Sequence, residues 1–282
     1  MSLSICSLAS GSSGNATWVS TGRTSVLVDC GTAARDLVER LDRIGVHPAQ
    51  LDGILITHAH SDHYRSAGTI QARYGVPVFV DPATARAARR RGGGTSWRRV
   101  KETRPIPERI GDLEIQAIDT RHGFPPDEGR TVAFRLQHRS AQVAVVTDLG
   151  ETDDGLLQAL RGVDALVLEA NYDEETLSRK LSDRAFARDW QYLSWVRSDH
   201  GHLSNRQCAE ALAAILDGRE CHVFLGHLSE NHVDALRDNN DHARAHAEVR
   251  RHLERLGVPV PHLHRTYRIG RESTGPSRIV EV

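Results

Sequence analysis

Apolar and polar positions along the chain alternate between short strand-like runs and stretches at helical spacing. Residues 3–8 and 25–29 (SVLVD) read as strands, with a third at 15–20, and the turns between them come from Gly-Ser-Ser-Gly at 11–14 and Thr-Gly at 21–22. After Gly31 the spacing becomes helical at Leu37, Leu41 and Ile44, and Gly45 ends the helix. A strand at 54–57 follows, then a helix from Asp62 or His63 to Gly75, then a strand at 76–80. Residues 86–104 read as loop or broken helix. Strands recur at 113–118, 131–138 and 142–147, a short helix at 154–161, and a strand at 164–168. Residues 171–200 are polar, irregular and helical in part. A helix at 204–217, a strand at 221–225, a charged helix at 240–256 and a last pair of short strands at 265–269 and 277–281 complete the pattern.

A β-rich first half with a helix after every second or third strand, repeated in style by the second half, fits two mixed sheets packed together with helices outside. That is an α/β (α+β) chain folded as a four-layer αββα sandwich. No repeat of solenoid period is visible. The 282 residues suit one large domain or two small ones, and the pattern is read as a single domain over 1–282. Apolar content of 39% is ample for a core. There is no run of about 20 apolar residues, so no membrane span is expected. The N-terminal MSLSICSLASGSSGN has no basic lead and is a poor signal peptide, so a cytoplasmic protein is expected. Cys6, Cys30, Cys208 and Cys221 are far apart and read as reduced, buried thiols.

A net charge of −1 recruits no partner in bulk. Its distribution is uneven. Residues 86–104 hold Arg86, Arg89, Arg90, Arg91, Arg98, Arg99, Lys101 and Arg104 against Glu102 alone, and a second basic stretch runs through Arg179, Lys180, Arg184, Arg188 and Arg197. A solvated face and contact with a phosphate backbone both explain such runs.

The chemistry is concentrated in ILITHAHSDHYRSAG, where His58, His60, Asp62 and His63 follow the apolar Ile54, Leu55 and Ile56. Imidazole nitrogen and carboxylate oxygen suit zinc and its first-row neighbours. On an extended loop His58 and His60 point to one side, while Asp62 and His63 lie beyond the turn, so the string reads as the scaffold of a two-metal site. Further donors stand at other strand ends: His122 in DTRHGF, Asp148 in VVTDLG and His227 in VFLGHLS. Four strand ends converging on one rim give residues scattered over the chain a reason to share a site.

HxHxDH followed by a strand-end His, Asp and His in that order resembles the metallo-β-lactamase superfamily. SLASGSSGN at 7–15, DCG at 29–31 and HLSN at 202–205 resemble its WalJ/YycJ-like group, whose members are 5′→3′ exonucleases on double-stranded DNA and serve DNA repair. The resemblance implies the metallo-β-lactamase fold. It also implies two divalent ions, Mn²⁺ or Zn²⁺: His58, His60 and His122 on one, Asp62, His63 and His227 on the other, Asp148 bridging. One departure is EANYD at 169–173, with Tyr172 where the group commonly has His.

Two ions about 3.5–4 Å apart can share a hydroxide for in-line attack on phosphorus, oriented by Asp62 and Asp148. His202 is the candidate general acid, with His200 a weaker competitor. Ser204 and Asn205 read either as N-cap residues or as a phosphate site at a helix start. Ser10, Ser12, Ser13 and Asn15 read as a cradle for a terminal phosphate or as a plain turn. Trp97 can stack on a base or pack in a core. An RNA-processing nuclease, a cyclic phosphodiesterase, or a lactone or thioester hydrolase are the competing activities. A diiron oxidoreductase is disfavoured by His at position 60, and an inert binding module by the full donor set.

Overall fold

The computed structural model describes residues 2–91, 97–123, 129–229, 239–269 and 275–282, apart from the Arg98 side chain. The first half contains β1 (Ser4–Ala9), β2 (Ala16–Ser20), β3 (Ser25–Val28), α1 (Ala34–Arg43), β4 (Gly53–Leu55), α2 (Ser61–Tyr64), α3 (Ala67–Tyr74), β5 (Val78–Phe79) and α4 (Pro82–Arg91). A 3₁₀ turn Trp97–Arg99 leads to β6 (Arg109–Ile110), β7 (Leu113–Asp119), β8 (Val132–His138), β9 (Ala141–Val146), α5 (Asp154–Leu160) and β10 (Ala165–Glu169). Then come α6 (Glu174–Ser182), α7 (Trp190–Val196), α8 (Asn205–Leu216), β11 (His222–Gly226), α9 (His242–Arg255), β12 (His262–Arg265) and β13 (Val280–Glu281).

Among the described residues the strands form a six-stranded sheet ordered β13-β1-β2-β3-β4-β5 and a seven-stranded sheet ordered β12-β11-β10-β9-β8-β7-β6. The period of two along each strand builds the layers. In β10, Ala165 and Val167 face Ile5, Val26 and Leu55 of the other sheet, together with Phe134, Val145 and Phe224. Its alternate residues Leu166 and Leu168 face the opposite way, onto Leu156 of α5, Leu212 of α8 and Val249 of α9. On the outside of the first sheet Leu27 and Ile54 meet Leu37 and Leu41 of α1 and Ile70 of α3. Strands covered on both faces carry apolar side chains at every position, which is why they read as unbroken runs. The result is the expected αββα sandwich. No helix among the described residues is long and apolar enough to cross a membrane. All four cysteines are free and buried.

Several elements differ from the expectation. The helix at 62–75 is two helices. The His63 carbonyl accepts from Cys30 N at 2.7 Å and the Ser66 N–H donates to Cys30 O at 2.9 Å. The helical ladder is interrupted there because the end of β3 takes its hydrogen bonds. Residues 82–91 form a regular helix, since Thr84, Ala85, Ala87 and Ala88 pack small side chains inward while Arg86 and Arg89 stay exposed. The last two strands do not pair with each other: β12 runs parallel to β11, and β13 antiparallel to β1 in the other sheet.

Strand direction then places the chemistry. β3 and β4 are parallel, β9, β10 and β11 are parallel, and two antiparallel steps through β8 give β7 the same direction. Their carboxyl ends therefore open on one rim of the sandwich, where α/β sheets present ligand-binding loops.

Candidate metal centre

The apolar strand β4 ends in the Thr57–His60 loop. His60 stands just before α2, and Asp62 and His63 lie in that helix. His122 leaves the end of β7, Asp148 the end of β9 and His227 the end of β11. The structure brings all seven side chains to the rim in two groups: His58, His60 and His122 with Asp148, and Asp62, His63 and His227. Asp148 also touches the second group, with Oδ2 at 3.0 Å from His63 Nε2 and Oδ1 at 3.3 Å from His227 Nε2. His58 Nε2 and His122 Nε2 lie 2.9 and 3.2 Å from His60 Nδ1.

Four of the five imidazoles are aimed by a partner on the far nitrogen. His63 Nδ1 donates to Asp29 Oδ2 at 2.7 Å, and His122 Nδ1 to the Gly201 carbonyl at 2.8 Å. The Thr57 hydroxyl donates to Asp29 and so accepts from His58 Nδ1 at 3.0 Å. His227 Nδ1 donates to Glu169 Oε1 at 3.2 Å. These bonds leave Nε2 of His58, His63, His122 and His227 facing the centre, the orientation a metal ligand needs.

The backbone is also held for this purpose. Asp29, Asp148 and His227 have φ of 64°, 58° and 52°, a left-handed conformation that non-glycine residues avoid. The His227 N–H donates to Ser10 Oγ at 2.8 Å, and Asn171 Nδ2 to the His227 carbonyl at 2.7 Å. A Cβ on Gly31 would lie 1.5 Å from the Asp62 carbonyl oxygen, so only glycine lets the end of β3 run under α2.

Charge explains why such a cluster suits a cation. Burial opposes ionisation of Asp148, but His227, His63 and His58 outweigh it and hold the carboxyl well below the usual range. Burial lowers His63 and His227, yet the surrounding carboxylates, Asp148 foremost, hold both well above the ordinary imidazole value. His58 is driven well below it by burial and by His63, and His122 is pushed down to about 4, chiefly by burial. Asp148 Oδ2, His227 Nε2 and His202 Nδ1 are buried with no hydrogen bond of proper geometry, although neighbouring donors and acceptors stand close. Close approach without hydrogen-bonding angles is how ligands of one ion stand. Donors about 2 Å from a metal lie roughly 3–4 Å apart, the spacing observed here. Buried charge of this density calls for pairing or a metal, and the donor set suits a divalent transition metal.

The other sequence-derived candidates fall into three places. His202 is at the rim, with Nδ1 2.6 Å from Glu169 Oε1 and 3.9 Å from Asp148 Oδ1. With Asp148 and His227 it forms a third group of donors. His200 gives its carbonyl to Gly123 N. Ser10 and Asn15 brace the site from below: Asn15 Nδ2 lies 3.0 Å from His63 Nε2, and its N–H donates to the Asp62 carbonyl at 2.8 Å. Ser12 is exposed, and Ser13 Oγ accepts from Ile269 N at 3.3 Å. Ser204 is the N-cap of α8 in a reciprocal pair with Gln207, and Asn205 bonds Asn240; both are buried. The cap accounts for Ser204, and the pairing with Asn240 for Asn205.

Tyr172 is 2% exposed and packs with Leu177, Leu193 and Val196. Trp97 is core, edge-on to Tyr64 at 4.8 Å. Lys180 leaves the second basic stretch, buried with Nζ on Asn239 Oδ1 at 3.0 Å.

Asp29 and Glu169 were not singled out as supports by sequence reasoning. Their signal is a carboxylate closing a fully apolar strand, SVLVD and ALVLE. Replacing Asp29 by alanine frees the His63 ring and should weaken metal affinity about 10–100-fold. Titration with Zn²⁺ against a competing chelator measures it, and unchanged affinity would remove Asp29 from the support.

Fold and centre together define a hydrolase of the αββα-sandwich class. A family model described as a beta-lactamase superfamily domain matches residues 24–227. The chain belongs to this metallo-β-lactamase superfamily. It is 31% identical over 233 residues to Exodeoxyribonuclease WalJ of Streptococcus pneumoniae serotype 2 strain D39, covering 81% of this chain and 83% of that one. Ribonuclease Z of Mycobacterium bovis strain BCG Pasteur is 29% identical over 179 residues, 55% of this chain and 62% of that one. Among solved structures, the metallo-beta-lactamase fold protein YhfI from Bacillus subtilis aligns with a TM-score of 0.66 over 100% of this chain and 99% of that one. At 16% identity it speaks to the fold alone.

Proposed function

We propose that the protein is a metal-dependent phosphodiesterase that degrades double-stranded DNA as a 5′→3′ exonuclease in the cytoplasm, in the service of DNA repair, with two divalent ions, Mn²⁺ or Zn²⁺. The observation that carries this reading is the pair of donor groups sharing Asp148 on one buried rim with His202 beside them. Its similarity to Exodeoxyribonuclease WalJ favours DNA over other phosphodiesters. His58, His60 and His122 would hold one ion and Asp62, His63 and His227 the other, with Asp148 within reach of both groups. Bound there, the ions supply an activated water at neutral pH and neutralise charge on the phosphate.

The chain's own groups do the rest. Asp62 and Asp148 accept hydrogen bonds from the attacking water and fix its line of approach. His202 holds a proton for the departing sugar oxygen, with the Glu169 carboxylate 2.6 Å from its Nδ1 to orient the ring. Arg86 and Arg89 on α4, Arg99 on the 3₁₀ turn, Lys101 and Arg73 on α3 are exposed on one helical layer. The one acidic residue in the sequence 86–104 is Glu102, and it stands 3.7 Å from Arg104. A like-charged surface of this kind suits a duplex phosphate backbone.

A timed digest of end-labelled duplex with each metal tests the reading. Stepwise shortening from the 5′ end is expected, faster with Mn²⁺ than with Zn²⁺. An inert duplex beside a cleaved RNA precursor would overturn it in favour of an RNA-processing nuclease, and turnover of a lactone alone would replace both.

A further inference from the structure

Helix α7, with the sequence WQYLSWV, divides its side chains in two. Leu193 and Val196 pack inward on Tyr172 and Leu177. Trp195 and, beyond it, Tyr192 lie on the rim side, while the Trp190 indole N–H donates to the Lys180 carbonyl of α6 at 3.2 Å. The half-buried Trp195 ring lies 5.7 Å from His122 at 62° and 5.3 Å from His202 at 87°, edge-on to both. The Tyr192 ring follows at 6.0 Å from Trp195, tilted by 31°. Tyr192 is 54% exposed and Trp190 37%. Only two other large apolar side chains among the described residues, Leu256 and Ile279, are comparably exposed. Tyr192 is thus the most exposed large apolar side chain among the described residues, and it stands against Trp195 beside the donor cluster.

This helix is fixed in place. His202 N–H donates to the Val196 carbonyl and Gly123 N–H to the His200 carbonyl, each at 2.9 Å. A Cβ on Gly150 would meet the Asp199 backbone at 2.3 Å. The turn after α7 is therefore locked to the loops bearing His122 and Asp148, and Tyr192 stands on a rigid wall.

We propose that α7 is a nucleobase subsite, in which the Tyr192 ring, backed by Trp195, stacks on the base of the terminal nucleotide whose phosphate lies at the donor cluster. The inference rests on the phosphodiesterase reading. A base sits one sugar away from its phosphate, so the surface next outward from the donors is where it lands, and that surface is aromatic. An aromatic face accepts every base, which suits a nuclease that must remove each nucleotide in turn.

The test uses the full-length, Mn²⁺-loaded protein and two duplexes, one with an intact 5′-terminal nucleotide and one with that nucleotide abasic. On the intact end Tyr192→Ala should lower kcat/KM about 5- to 150-fold, and Tyr192→Phe should restore it, because the ring and not the hydroxyl stacks. Wild-type protein should lose the same factor on the abasic end, where Tyr192→Ala loses nothing more. Equal losses from Tyr192→Ala on both ends, or no loss on the intact end, would overturn the subsite while leaving the nuclease. A wild-type protein that does not shorten either duplex would overturn the nuclease reading and the subsite with it.

Discussion

Replacing Asp148 by alanine is expected to lower DNA digestion at least about a thousandfold, some 4 kcal/mol of barrier, while the protein stays folded. Both donor groups meet at this carboxylate, within 3.0 Å of His63 and 3.3 Å of His227. No other acidic group among the described residues joins the His58, His60 and His122 group, so no neighbour can replace it there. Alanine also strains the backbone, because φ is 58° at this position. Asp148→Asn separates the two effects: asparagine tolerates the left-handed conformation but brings no charge. Both variants should be inert, with a cooperative melt preserved, and His58→Ala should behave likewise. Digestion by Asp148→Asn at more than about a tenth of the wild-type rate would show that the carboxylate is not what the reaction uses.

His202→Ala should cost about 10²- to 10⁴-fold on DNA, the usual worth of a positioned proton donor. The loss should be far smaller on a p-nitrophenyl phosphodiester, whose leaving group departs without a proton. This contrast matters because His202 also stands among donors, with Asp148 and His227. If His202 served as a ligand, both substrates would suffer alike and metal content would drop. Metal analysis beside the two rates therefore decides between proton donor and ligand.

The seven clustered side chains were legible because each stands in a loop or short helix that leaves a strand end, and a strand that ends in an imidazole or carboxylate is a local signal. What holds them was less so. Asp29 and Glu169 act through contacts with residues 34 and 58 positions away, and a carboxylate after a strand looks the same whether it aims a ring or starts a turn. The break between α2 and α3 was hidden for a like reason: its cause is the backbone of Cys30, not the sequence at Arg65 and Ser66. A strand was expected at 265–269 where β12 spans His262–Arg265, β13 fell inside the expected 277–281, and the partners of both are set by the whole sandwich. α7 escaped notice because Tyr192 and Trp195 are spread among polar residues, and their shared side appears only once Leu193 and Val196 are seen to be buried. HLSN was legible as a helix start, and the structure uses it as one.

Three side chains at the rim, Asp29, Asp148 and His227, hold a main-chain geometry that glycine would adopt without penalty. Glycine at Asp148, whose Oδ2 is buried without a hydrogen bond, should ease the chain and raise heat tolerance while emptying the position of its function. Selection for thermal robustness alone would therefore push this protein toward sturdy, idle variants. Directed evolution on it needs an activity screen in every round.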